Sequence, residues 1–101
     1  MTPDRWSQFS LATQLGHIGS ELGRAKTWQN KDHTLYEQAL NRALILLNFT
    51  LNDPRWTVKM HELTNLHDLI DDIIHDTNIY QSNIAELESY CTHLALNLAR
   101  G

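Results

Sequence analysis

The stretch "LYEQALNRALILLNFTLNDPRW", residues 35–56, decides the fold because it contains a helix and the boundary that ends it. Its apolar residues recur at helical spacing, and in the second half they surround much of the circumference, which is typical of a buried helix. "NDPRW" marks the boundary, since Asp53 can cap the next helix and Pro54 suits its first turn, where a missing N–H costs nothing. We predict helices over about residues 35–51 and 54–76.

Two more helices are predicted, one before and one after this stretch. The first covers about residues 4–28, where large apolar residues recur every three or four positions and line one helical face. These residues are Leu11, Leu15, Ile18, Leu22 and Ala25. The last helix covers about residues 83–100, with Ser82 or Asn83 as its cap. Its apolar stripe is Leu87, Cys91, Leu94 and Leu98.

The second helix is predicted to begin at Thr34, because Glu37 follows three residues later in the form of a capping box. The polar string "QNKDHT" separates this helix from the first. Connections of roughly five to eight residues make neighbouring helices antiparallel. Because no strand-like alternation persists anywhere, we predict an all-α, up-and-down four-helix bundle that forms a single domain over residues 1–101.

The composition limits the class of protein. A formal net charge of −4 does not provide the broad positive field that a duplex nucleic-acid binder needs. Cys91 is the only cysteine, so no internal disulfide can form, which suits a reducing cytosol. The sequence has no long apolar run, and "MTPDRWSQFS" lacks the apolar core of a signal peptide. We predict a cytoplasmic protein without membrane contact, and a homodimer, the commonest oligomer of small helical proteins.

Three glycines in the first helix, Gly16, Gly19 and Gly23, raise the question of a phosphate-binding loop. Their spacing matches neither the P-loop nor the dinucleotide-binding pattern, and no strand precedes them. On a helix they form a smooth stripe that costs roughly 1 kcal/mol per glycine relative to alanine. We predict that close packing on the second helix offsets this cost, with Ala39 and Ala43 as the matching small residues.

The predicted third helix carries most of the residues that could bind a metal ion. His67, Asp71 and His75 follow one another at four-residue steps, so their side chains can meet along one ridge. The alternative is a solvated outer face, because the polar residues of this helix fall opposite its apolar stripe. The members of that face are His61, Asn65, Asp68, Asp72 and His75. No cofactor is predicted.

The same helix resembles the all-α nucleotide pyrophosphatases of the MazG-like class, in which acidic pairs on two helices hold Mg²⁺ against a triphosphate. Asp68, Asp71 and Asp72 would supply one such acidic pair, with His75 beside it. The second pair must come from another helix, because Mg²⁺ requires converging carboxylates in octahedral geometry. This resemblance implies a metal-dependent hydrolase of nucleotides.

The first half of the chain resembles the HEPN class of helical domains in the strings "ELGRAKTW" and "YEQALNRALILL". The strings "QLGHIGSE", "RAL" and "NDPRW" are similar to those of a family of small, uncharacterised bacterial helical proteins. HEPN ribonucleases carry an R-x(4–6)-H motif, so the resemblance implies Arg55 and His61 of "RWTVKMH" as the catalytic pair. Residues six apart on a helix point about 120° away from each other, so these two would converge only with the help of a dimer partner.

The tryptophans separate into core and surface. Trp6 and Trp56 lie on apolar faces and are predicted in the core. Trp28 instead continues the polar side of the first helix with Arg24, and there it could anchor a protein partner or fold over the following turn. The leading prediction is a non-enzymatic, HEPN-like binding module for a protein or nucleotide partner, with the ribonuclease and the pyrophosphatase as alternatives.

Overall fold

The regular structure is helical throughout residues 2–75 and 83–99, the part of the chain described by this computed structural model. It contains α1 (Pro3–Trp6), α2 (Leu11–Trp28), α3 (His33–Leu51), a 3₁₀ helix (Pro54–Lys59), α4 (Met60–His75) and α5 (Ile84–Ala99). The all-α prediction is confirmed. None of these helices is long and apolar enough to cross a membrane within the described ranges.

The prediction of one continuous first helix over residues 4–28 is wrong, because the helix is interrupted between the end of α1 and the start of α2. Ser10 has extended backbone angles (φ −65°, ψ 161°), and its hydroxyl accepts a 3.2 Å hydrogen bond from the backbone N–H of Thr13. This N-cap starts a new helix, α2, at Leu11. The break also lets the Trp6 side chain, which is 1% exposed, turn into the core.

The predicted capping box at the start of α3 is wrong as well. Asp32 is the N-cap, and its carboxylate accepts a 3.1 Å hydrogen bond from the backbone N–H of Leu35. Glu37 instead lies 2.8 Å from His33 Nε2, one helical turn away. A carboxylate caps a helix as well as a hydroxyl does, and Asp32 precedes Thr34, so the helix begins earlier than predicted.

The boundary at "NDPRW" is confirmed, but the helix that follows begins in a tighter form. The Asp53 carboxylate accepts a 3.0 Å hydrogen bond from the backbone N–H of Arg55, and Pro54 occupies the first turn as predicted. The 3₁₀ geometry persists to Lys59, with Trp56 at non-helical angles (φ −103°, ψ 16°). The α-helix therefore starts only at Met60, and the predicted end at residue 76 lies outside the described residues.

The core lies between four long helices. α2 packs most extensively on α3 and α5, whereas α4 completes the core through smaller contacts with the same two helices. Asn83 caps α5, accepting a 2.9 Å hydrogen bond from the backbone N–H of Glu86, while the alternative cap Ser82 lies outside the described residues. The fully buried large side chains are Trp6, Leu15, Ile18, Leu22, Leu40, Leu47, Leu63, Leu66, Ile70 and Leu87, with Gln14 and Thr50 among them.

The glycine stripe of α2 faces α5, not α3. A Cβ atom placed on Gly19 would lie 3.7 Å from Cys91 Sγ, and one on Gly23 would lie 3.3 Å from Glu88 Oε2. Gly16 has open space, with no atom within 4 Å of such a Cβ. The prediction that the stripe packs on Ala39 and Ala43 is wrong. α2 lies between α3 and α5, and these two fully buried alanines belong to α3, whereas the stripe faces α5.

Replacing Gly16 with alanine is expected to raise the free energy of unfolding by about 0.5–1 kcal/mol, because the methyl group meets nothing and alanine is the better helix former. Urea denaturation followed by circular dichroism measures this change. Gly23→Ala is the matched control and should gain less, since its methyl group displaces the Glu88 carboxylate. A loss of stability in Gly16→Ala would show that the stripe is needed for packing.

Candidate ligand-binding site

A buried carboxylate joins α2 to α3. The Glu21 side chain is only 10% exposed, and both of its oxygens are occupied. Arg24, one turn further along α2, donates from Nη1 to Oε1, and Arg42 of α3 donates from Nε to Oε2 at 2.7 Å. Because a buried carboxylate needs such partners, Glu21 fixes the position of both guanidiniums.

The two guanidiniums remain accessible while Glu21 holds them. The Arg24 side chain is 60% exposed and that of Arg42 is 50% exposed. A guanidinium has five N–H donors in a planar fork, and Glu21 takes one nitrogen of each. The other N–H groups can therefore bind an anion. With Glu21 ionised, this trio carries a net charge of +1, in contrast to the −4 of the whole chain.

These guanidiniums line a cavity of about 380 Å³ between α2 and α3. Its size falls within the roughly 300–1,000 Å³ of small-molecule sites. The remaining walls are Trp6, His17, Ser20, Ile45, Leu46 and Phe49. Ile45 is 53% exposed at the surface, so the apolar wall continues to the mouth of the cavity. The cavity thus combines two cationic groups with an apolar and aromatic lining.

The aromatic end of the cavity is tightly packed. The His17 ring lies 5.3 Å from that of Phe9 and 5.8 Å from that of Trp6, and Phe9 and Trp6 meet edge to face with centroids 5.9 Å apart. Such arrangements are favourable for rings. Two segments, the N-terminal residues and α2, therefore build one wall together.

A buried hydrogen-bond network holds Trp6 in this wall. The indole Nε1 donates to Thr50 Oγ1 at 2.9 Å, and Thr50 in turn donates to Gln14 Oε1 at 2.9 Å. Gln14 Nε2 completes the circuit by donating to the backbone carbonyls of Trp6 at 2.9 Å and Phe9 at 3.3 Å. A buried polar network that satisfies its members in this way fixes a single arrangement of the chain.

The residues proposed for a ribonuclease are separated by their local structure. Arg55 lies in the 3₁₀ helix, and its guanidinium donates to both oxygens of Asp53, at 3.1 Å from Nε to Oδ1 and at 2.7 Å from Nη2 to Oδ2. This hydrogen bond lowers the pKa of Asp53. The guanidinium also covers the Trp56 ring at 4.4 Å. His61 lies exposed in the first turn of α4. Trp56 is half-buried, rather than the core residue predicted.

The polar residues of α4 form separate pairs. His75 Nδ1 lies 3.1 Å from Asp71 Oδ1, whereas His67 Nδ1 lies 3.4 Å from Asp68 Oδ1. Within residues 2–75 and 83–99, no three His, Cys, Asp or Glu side chains come together in a way that could hold a metal ion. Asp72 is 5% exposed, so the predicted solvated face does not include it.

Of the predicted partner-binding pair, only Arg24 belongs to the cavity. Trp28 is half-buried at the end of α2, where its backbone carbonyl accepts hydrogen bonds from the N–H groups of Lys31 and Asp32, both at 2.9 Å. Sequence reasoning missed Arg42, because its partner Glu21 lies on a different helix. Arg24 was predicted only together with Trp28, on the polar side of the first helix. Glu21 was missed, although its position three residues before Arg24 on one helix is a signal that could have indicated the ion pair.

Cys91 is expected to resist modification in the folded protein. The thiol is fully buried and donates to the backbone carbonyl of Leu15 at 3.3 Å. Burial, with a smaller contribution from the Glu88 charge, raises the pKa of Cys91 from 9.0 to about 12. A disulfide reagent at pH 8 should therefore react slowly with the native protein and rapidly in urea. Equal rates in both conditions would contradict this placement.

The stability contributed by this thiol depends on pH in a defined direction. The unfolded chain loses the thiol proton at its ordinary pKa of 9.0, below the folded pKa of about 12. The stability that the buried Cys91 thiol contributes is therefore fully present below the unfolded pKa and is lost as the pH rises through the folded pKa.

No family model matches the chain, and no match is found among curated proteins or solved structures. The resemblance to HEPN-like domains therefore stays a prediction, and the geometry of the cavity is the basis for a function.

Proposed function

We propose that the protein is a non-enzymatic, HEPN-like binding module, and that it binds the anionic group of a nucleotide or protein partner in the cavity between α2 and α3. The observation that carries this proposal is the buried Glu21 carboxylate, which holds Arg24 and Arg42 at the mouth of an apolar cavity. We also propose that the four long helices run up and down and that the protein is a cytoplasmic homodimer. Sedimentation equilibrium measures the mass of this dimer.

The cost of burying Glu21 supports a role in binding. Buried ion pairs contribute little net stability, and apolar residues of similar size often replace them without loss. Here the Glu21 side chain is almost covered, yet both arginine side chains are at least half-exposed. Arginine forks of this kind recognise carboxylates and phosphates in two-point contacts. Glu21 therefore acts as a positioning residue for two anion-binding side chains.

The catalytic alternatives require rearrangements that the cavity does not. Arg55 would have to leave the Asp53 carboxylate before it could contact a phosphate group. A pyrophosphatase centre would have to bring Asp68, Asp71 and Asp72 together with carboxylates from a second helix. The ribonuclease and the pyrophosphatase therefore stay predictions, whereas the arginines of the cavity already face solvent.

Isothermal titration calorimetry with inorganic phosphate, adenosine monophosphate and 2-naphthoate tests the proposal. We expect at least one of these anions to bind. Arg24→Gln and Arg42→Gln should each weaken that binding about tenfold, because each removes a charge-assisted contact. Arg5→Gln is the matched control, since Arg5 is exposed on α1 and lies outside the cavity. The proposal is wrong if no anion binds or if the cavity variants bind as the wild type does.

A further inference from the structure

We infer that the cavity selects a ligand with one carboxylate on a flat apolar body, the class of aromatic monocarboxylic acids. This inference rests on the anion-binding cavity of the proposed function, and it replaces the nucleotide or protein partner with a narrower class of small ligand. It follows from the charge of the cavity, the shape of its cationic groups and its apolar and aromatic lining.

The charge of the cavity favours a single negative charge on the ligand. Arg24 and Arg42 contribute two positive charges, and the Glu21 carboxylate between them removes one. A nucleoside triphosphate brings three or four negative charges into contact with this net charge of +1, and Glu21 then repels the excess. A monocarboxylate neutralises the cavity without leaving unpaired charge. The negative charge of the whole chain acts in the same direction.

The shape of the cationic groups suits a carboxylate. Each guanidinium already gives one nitrogen to Glu21, and its remaining N–H groups form the planar edges that match two carboxylate oxygens. Because both arginines are anchored to the same buried carboxylate, their positions are fixed before the ligand arrives. Such preorganisation reduces the entropy lost on binding.

The apolar part of the lining favours an apolar body on the ligand. Ile45 and Leu46 are neighbours on α3, and Phe49 follows about one turn later. Trp6 from α1 and His17 from α2 also line the cavity. Phe49 and His17 are the aromatic side chains with accessible surface there, whereas Trp6 is 1% exposed, so a planar ring finds stacking and edge contacts mainly with the former two. A volume of about 380 Å³ lies at the small end of ligand sites, which suits one or two fused rings.

The decisive experiment compares 2-naphthoate with its neutral amide, 2-naphthamide, and with adenosine triphosphate in calorimetric titrations of the wild-type protein. The two naphthyl compounds share the ring and differ in charge, so their ratio isolates the contribution of the guanidiniums. We expect the amide to bind at least about tenfold more weakly, and the triphosphate to bind more weakly than 2-naphthoate. Ile45→Ser, a change at a half-exposed wall residue, should weaken 2-naphthoate several-fold and leave the fold intact.

The outcomes separate this inference from the proposed function. If phosphate or adenosine triphosphate binds more tightly than 2-naphthoate and Arg42→Gln abolishes that preference, the binding module stands and the ligand class is wrong. If 2-naphthoate and its amide bind equally, the class is also wrong, because the carboxylate is not recognised. If 2-naphthoate binds equally to the wild type and to both arginine variants, the cavity is not the site and both proposals are overturned.

Discussion

Replacing Trp6 with alanine is expected to lower the free energy of unfolding by about 3–5 kcal/mol, the largest effect of any substitution considered for this chain. The indole is 1% exposed and packs among helices that are distant in sequence. Its loss leaves a large cavity, and Thr50 loses the 2.9 Å hydrogen bond from Nε1. Because a domain of this size is stable by only about 5–15 kcal/mol, urea denaturation should show a much lower midpoint.

Two further tryptophan variants identify the source of the effect. Trp6→Phe keeps a ring in the core but removes the N–H donor, so it should cost less than Trp6→Ala. Trp28→Ala removes an indole of the same size from a half-buried position at the end of α2, where the loss should be smaller. If Trp6→Ala were no more destabilising than Trp28→Ala, the placement of Trp6 in the core would be wrong.

Replacing Gln14 with leucine is expected to cost about 1–3 kcal/mol, even though leucine is more apolar and similar in size. Gln14 is fully buried, and its amide satisfies the Trp6 carbonyl and the Thr50 hydroxyl. Leucine removes the amide donor, so the Trp6 carbonyl keeps only the 3.1 Å hydrogen bond from the backbone N–H of Phe9, and the Phe9 carbonyl loses its 3.3 Å contact. Thr50 can turn to the Leu46 carbonyl at 3.3 Å, so the loss comes from the two hydrogen bonds to the carbonyls of Trp6 and Phe9.

The matched control is Gln8→Leu, because Gln8 is exposed in the short segment between α1 and α2. Its substitution should change stability by less than about 0.5 kcal/mol. A double-mutant cycle of Gln14→Leu with Thr50→Val then measures the coupling between the two side chains. A stability of Gln14→Leu equal to that of the wild type would show that the network does not hold the N-terminal segment.

The helices and much of the core follow from the sequence, because apolar spacing reports which side of a helix is buried. Leu15, Ile18 and Leu22 were predicted on one face of the first helix and are fully buried. The boundary at Pro54 was equally readable, since Asp53 and Pro54 act within a few residues of each other. Local chemistry and local spacing were sufficient for these elements.

The rest depends on contacts between segments that are distant in the sequence. The glycine stripe could be recognised as a stripe, but nothing local indicates whether α3 or α5 faces it. The pair of Glu21 and Arg42 spans 21 residues and exists only once α2 and α3 are in register. The hydrogen bond between Trp6 and Thr50 spans 44 residues and has no sequence pattern. Of the candidate site, only Arg24 was therefore predicted from the sequence as a binding residue.

The break between α1 and α2 makes the cavity dependent on a separately docked segment. Trp6 belongs to one of its walls, yet it reaches that wall from α1, outside the long helices. A ligand in the cavity and the docking of residues 2–10 therefore stabilise each other by the same free energy, as thermodynamic linkage demands. Ligand binding in the cavity should therefore slow both hydrogen exchange and proteolysis of residues 2–10.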